Sequence, residues 1–143
     1  MSDEIRQDYF RIDETADAAA DYAYIGPRSD FPIHDIGDGI GFQPVWGGNL
    51  LLNWVHFAPH RSLPNHHHPE EQAGTIIEGE MELTVGELTR RMRVGDVYVI
   101  PPNVPHSGRT FDSTCIALDI FSPPRADFRA LIERARKGPD ERG

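Results

Sequence analysis

Asn65-His66-His67-His68-Pro69-Glu70-Glu71-Gln72, closed by Gly79 after one short apolar run, is the stretch whose reading decides the fold. In an extended strand His66 and His68 project to one face and His67 to the other. Gln72 follows His68 by four residues, and Gly79 stands where a strand must turn. Two imidazoles on one face with an oxygen donor nearby make a chelating edge for a divalent metal inside a barrel or sandwich. Glu70 and Glu71 are the rival oxygen donors, Glu71 being one register step away. Three consecutive histidines also occur in solvated loops, and being internal this run is not an expression tag. A second segment decides between these readings: Gly95-Asp96-Val97-Tyr98-Val99-Ile100-Pro101-Pro102-Asn103-Val104-Pro105-His106. It supplies a turn glycine, an apolar strand, a stiff Pro/Asn loop and one more histidine. His66, His68, Gln72 and His106 together form a four-ligand set.

The 143 residues suit one domain with a real core. A hydrophobic content of 38% with 13 Gly and 12 Pro points to a turn-rich all-β protein. The net charge of −9 argues against a nucleic-acid partner, which rewards a basic surface. Arg90-Arg91-Met92-Arg93, the densest basic run, reads as the solvated face of a strand. Cys115 is the only cysteine. Set between Thr114 and Ile116, it reads as a buried structural thiol. No charged-then-apolar leader and no apolar run of membrane-spanning length is seen, so a cytoplasmic protein without a membrane partner is expected.

Along the chain, residues 1–30 read as an N-terminal arm. Its alanine-rich part over 16–20 is either a short helix or a surface segment, and Tyr22, Tyr24 and Ile25 suggest a strand-like piece ended by Gly26-Pro27. Short strands with Gly/Pro turns follow over 31–124, as in a double-sheet jelly roll. Residues 50–57 are apolar on both faces, so that strand is covered on both sides, and Trp54 and His56 could face either way. In the last part, 125–143, Phe128, Leu131, Ile132 and Ala135 recur at helical spacing. Asp127 near its start and Gly138-Pro139 at its end bound a helix. We expect it to pack on the sheet exterior as scaffold, within one domain overall.

A metal site becomes an active site only where acid–base groups share its cavity. Asp119 and Phe121 share a face, and Arg125 follows the stiff Ser122-Pro123-Pro124 bend. An inward Asp119 can serve as general acid or base, and Arg125 can bind a carboxylate in a paired contact. The structural alternative pairs Asp119 with Arg125 at the rim and leaves Phe121 as core.

The two segments resemble the two motifs of the cupin family. The first reads His66-x-His68-x3-Gln72-x6-Gly79, with Gln72 where most cupins have Glu. The second reads Gly95-x5-Pro101-x-Asn103-x2-His106, with Asn103 where Gly is usual and Thr110 where Asn often ends the pattern. The resemblance implies an all-β cupin jelly-roll barrel (a double-stranded β-helix) followed by a C-terminal α-helix, and a homodimer. Together with Asp119-x-Phe121-x3-Arg125, the set is similar to small cupins that linearise unsaturated uronates from pectin and alginate. That likeness implies one divalent transition metal (Zn, Ni, Mn, Fe or Co) on His66, His68, Gln72 and His106. It implies that Asp119 moves a proton, Phe121 shapes the pocket and Arg125 binds the carboxylate of a small substrate. Three histidines and one amide are a neutral ligand set, so a bound ion would keep its full charge as a Lewis acid. Two other readings stand beside this one: an Fe- or Mn-dependent dioxygenase, and a non-catalytic metal- and ligand-binding cupin.

Overall fold

Closely spaced glycines and prolines cut the chain into short strands, and the computed structural model shows how these stack; it describes residues 2–10 and 23–137. The strands are β1 (His34–Gly37), β2 (Ile40–Trp46), β3 (Leu51–Phe57), β4 (Ser62–His66) and β5 (Glu71–Glu78). They continue with β6 (Glu80–Val85), β7 (Leu88–Arg93), β8 (Val97–Ile100), β9 (His106–Thr110) and β10 (Cys115–Ser122). Helices α1 (Asp3–Tyr9) and α2 (Ala126–Arg136) flank them. One sheet has the order β1-β2-β3-β10-β5-β8 and the other β4-β9-β6-β7, with every pairing antiparallel. This is the jelly roll expected from the turn pattern. Between the sheets lies a core that includes Val55, Phe57, Ile76, Met81, Ile100 and Ala117.

The apolar strand β3 resolves cleanly. Leu51, Asn53, Val55 and Phe57 are buried inward, while Leu52, Trp54 and His56 face out and are half-buried. Part of that outer side is covered by a side-chain clasp. The buried Gln43 amide donates to the carbonyls of Arg28 and Phe31, each at 3.0 Å, and its Oε1 accepts from His56 Nε2 at 3.0 Å. The outer side of the other sheet is charged instead. Arg109 pairs with Glu82 at 3.0 Å, Arg91 pairs with Glu80, and both guanidinium groups lie on the Phe111 ring. Met92, inside the basic run, points into the core.

Gly79 closes the β5–β6 hairpin with a positive φ of 74°. A Cβ there would collide with the carbonyl oxygen of Thr114, so both the conformation and the close approach require glycine.

Two expectations are corrected. Residues 23–25 form no strand: the Tyr24 ring packs edge-on against Phe31 at 4.7 Å, and its hydroxyl bonds Asp30 and the Pro27 carbonyl. The segment satisfies its polar groups locally and borrows no sheet edge. Tyr22 and the alanine-rich residues 16–20 lie outside the described residues. The second correction concerns α2, which does not pack on the outside of a sheet. Phe128 stacks on the inward Phe42 at 5.0 Å and meets Trp46 edge-on at 5.8 Å, and with Ile132 it joins Leu51 and Phe121 in a second core. Burying each of these two side chains contributes about 1.5–3 kcal/mol. The helix therefore closes one end of the barrel. No helix among the described residues is long and apolar enough to cross a membrane.

Candidate metal centre and active-site cavity

β4 ends at His66, and the chain runs through His67 and His68 before β5 begins at Glu71. His66 and His68 turn inward while His67 is exposed. Across the sheet, His106 is the first residue of β9 and pairs directly with His66. The loop before it is fixed by Asn103, whose φ of 64° lies in the left-handed region that Asn tolerates and the family's usual Gly would accept freely. The backbone N–H of Asn103 donates to the His68 carbonyl at 2.8 Å, which joins the two segments at the site.

The three rings converge, with centroids 4.2 Å apart for His66 and His106, 5.0 Å for His68 and His106, and 6.1 Å for His66 and His68. Each Nδ1 faces a backbone carbonyl: Pro64 at 2.7 Å for His66, Glu70 at 3.0 Å for His68, and Val104 at 2.9 Å for His106. A carbonyl can only accept, so each Nδ1 carries the proton and each Nε2 of a neutral ring presents a bare lone pair. Burial is the main reason His106 is held down to about 4. His68 is also lowered, by burial first and then by the charge of Arg125. One ligand atom from each ring lies within 4.8 Å of the others.

Two observations test whether a cation fits. His106 Nε2 is buried with no hydrogen-bond partner. His68 Nε2 lies 3.1 Å from Gln72 Oε1, two acceptors brought together with no proton between them. Gln72 lies diagonally beside Asp119 on the same face of the sheet, where its amide helps hold the Asp119 carboxyl down while its oxygen points to His68. Orphaned and juxtaposed lone pairs are what a divalent ion satisfies, so the histidine cluster fits a metal. Gln72 is buried on the inner face of β5, whereas Glu71 is exposed on the other.

A cavity of about 300 Å³ opens beside the cluster. Asp119, Phe121 and Arg125 all line it, with Phe42, Val55 and Leu131 among the apolar walls. Asp119 and Arg125 are not ion-paired to each other, so the rim salt bridge considered from the sequence does not form. Arg125 instead grips Asp127 through two hydrogen bonds of 3.2 and 2.9 Å, and its Nε lies 3.9 Å from Glu70. Its guanidinium sits 5.6 Å from the Phe121 ring centre, and that ring meets His68 edge-on at 5.5 Å. Asp119 accepts from the Tyr98 hydroxyl at 2.5 Å. Burial drives the Asp119 carboxyl upward; the hydrogen bonds from Tyr98 and Gln72 and the charges of His66 and Arg125 oppose it.

Tyr98 and Asp127 on the cavity wall, and Gly74 against the Tyr98 ring, are groups that reading the sequence missed. Asp127 was visible only as a helix-start residue. A glycine inside a strand is a signal of close approach, and Gly74 carries it.

Comparison with known proteins identifies the family. Residues 53–121 match the cupin domain. The chain is 30% identical over 99 residues to the pectin degradation protein KdgF of Dickeya dadantii, covering 68% of this chain and 90% of that one. The chain is a cupin. H2HPP isomerase of Bacillus subtilis is 42% identical over 73 residues, which is 50% of this cupin but only 30% of the isomerase's length. Among solved structures, an RmlC-like cupin from Shewanella frigidimarina superposes with a TM-score of 0.69 at 27% identity, over 74% of this chain and 96% of that one. KdgF from Halomonas sp. gives 0.70 at 24% identity, over 74% and 98%, a likeness of fold.

Proposed function

We propose that this cupin is a metal-dependent isomerase of a small unsaturated cyclic carboxylate, with the 4,5-unsaturated uronates as its substrate class. The observation that carries the reading is one cavity lined by His66 and His106 of the three-histidine cluster, by the Asp119 carboxylate and by an arginine. An isomerase and a pectin degradation protein among its relatives support it.

His66, His68 and His106, with Gln72 as fourth ligand, would hold Zn, Ni, Mn, Fe or Co. The ion would supply Lewis-acid polarisation of a sugar oxygen. Arg125 binds the substrate carboxylate, in the same paired geometry that it now makes with Asp127. Phe121 packs against the ring. The reaction is a redox-neutral isomerisation. The bond from C1 to the ring oxygen breaks as the C1 hydroxyl gives up its proton, leaving an aldehyde at C1. The ring oxygen stays on C5 as an enolate, and the proton released from the C1 hydroxyl, delivered to C4, converts it to the 5-keto group. Asp119 is the group that carries the proton, and burial, by raising its carboxyl, favours the form that has a proton to give.

The test is an absorbance and NMR assay of unsaturated uronates with protein loaded in turn with Zn, Ni, Mn and Fe(II). Accelerated formation of the open-chain keto acid, abolished by chelation, is the expected result. No acceleration with any of these metals withdraws the substrate class. Oxygen consumption with Fe(II) would then favour the dioxygenase, and ligand-induced stabilisation without turnover the binding protein.

A further inference from the structure

Asp119 on β10, Gly74 on β5 and Tyr98 on β8 occupy a single row across the large sheet, Asp119 opposite Gly74 and Gly74 opposite Tyr98. Neighbouring strands are about 4.8 Å apart, so the outer two residues are separated by roughly 10 Å of backbone. Ordinarily the side chain of the middle residue would stand between them. Here there is none, and the Tyr98 ring lies across Gly74 so closely that a Cβ at 74 would fall within it. The ring thereby passes over an entire strand and places its hydroxyl 2.5 Å from Asp119 Oδ1. Both Tyr98 and Gly74 are buried. A carboxylate has two oxygens with about four acceptor sites. Tyr98 takes one from the β8 side, and Gln72, two residues from Gly74 on the same face of β5, stands diagonally beside the same carboxylate.

We propose that Tyr98 is a positioning residue: lying over the gap left by Gly74, it locks the Asp119 carboxylate, and through Asp119 it holds the Gln72 oxygen toward His68. This rests on the function proposed above, in which Asp119 carries the proton and Gln72 is a ligand. Tyr98 therefore couples the acid–base group to the ligand set, and removing its hydroxyl loosens both. Partners of this kind typically change metal affinity by about 10- to 100-fold.

The experiment is a double-mutant cycle with Tyr98→Phe and Asp119→Asn in the full chain, read first on Zn²⁺ affinity by competition with a chromophoric chelator. Tyr98→Phe is expected to weaken Zn²⁺ about tenfold in the native background and to add no loss on top of Asp119→Asn. On unsaturated uronate the same substitution lowers kcat while KM stays within about twofold, the split expected of a lost transition-state arrangement. Gly74→Ala, which displaces the ring with its hydroxyl intact, reproduces the Zn²⁺ loss. Native Zn²⁺ affinity in Tyr98→Phe, or equal losses in both backgrounds, overturns the proposal. If no uronate turns over, the Zn²⁺ cycle still decides. If the native chain binds no Zn²⁺, the proposed function falls and the cycle is read on the thermal midpoint, where additive effects overturn the Tyr98–Asp119 coupling as well.

Discussion

The backbone N–H of Asn103 donates to the carbonyl oxygen of His68 across 2.8 Å, so the loop that presents His106 is tied to the loop that presents His68. Asn103 makes this contact from a left-handed backbone, with φ at 64°. Asn103→Gly should leave stability within about 0.5 kcal/mol, because glycine adopts that conformation freely. Asn103→Val should cost about 1–2 kcal/mol. Denaturant unfolding of both variants measures the difference, and equal midpoints would show that the loop does not depend on this conformation.

Metal should stabilise the fold through His106. Its buried Nε2 is unpartnered, and a bound ion would satisfy it. At a hundredfold excess over Kd the gain is about 2.7 kcal/mol. For a chain of this size that raises Tm by roughly 5–10 °C. His106→Ala should abolish the rise, and a rise that survives the substitution would place the ion elsewhere.

Arg125→Ala should raise KM for a carboxylated substrate about 10- to 100-fold, the scale expected for losing a charged hydrogen-bonded contact. Arg125→Lys should recover only part of it, since one ammonium cannot reproduce the two parallel hydrogen bonds that Asp127 receives. Steady-state kinetics on all three proteins decide the matter. An unchanged KM in Arg125→Ala would remove the residue from substrate binding.

Cys115 should be chemically silent in the native protein. Burial first, and then the negative charges of Glu78, Asp119 and Glu80, push its thiol up to about 11 from an ordinary value of 9.0. The folded state thus binds this proton more tightly than the unfolded chain. The resulting stability is complete below pH 9 and is lost as pH rises from about 9 to about 11. A thiol reagent at pH 8 should react with unfolded protein only. Cys115→Ala should flatten the alkaline arm of the stability curve, and rapid modification of the folded protein would contradict this account.

The residues that build the metal cluster could be read along the chain because their spacing is itself the geometry. Period-two alternation sends His66 and His68 inward, and the Pro/Asn loop presents His106 at the start of a strand. Relations between strands that are distant in sequence could not be read this way. That Tyr98 reaches Asp119 depends on β5 lying between β8 and β10, an order that no local pattern specifies. The same holds for α2. Its stripe shows which face is buried, but only the stacking of Phe128 on Phe42 shows that the helix covers the barrel's end rather than its flank. Arg125 and Asp127 are two residues apart, close enough to pair by inspection, yet the charge of Asp127 had an equally good explanation at the helix start.

The collision between any side chain at position 79 and the Thr114 carbonyl has an evolutionary consequence. The first segment's histidines answer to the chemistry of the site, whereas its closing glycine answers only to the bend of a hairpin. A descendant that abandoned its metal could shed His66, His68 and His106 and still be obliged to keep Gly79. Within one short motif the ancestry of the barrel and the history of its activity are therefore recorded at different positions, and they can part company.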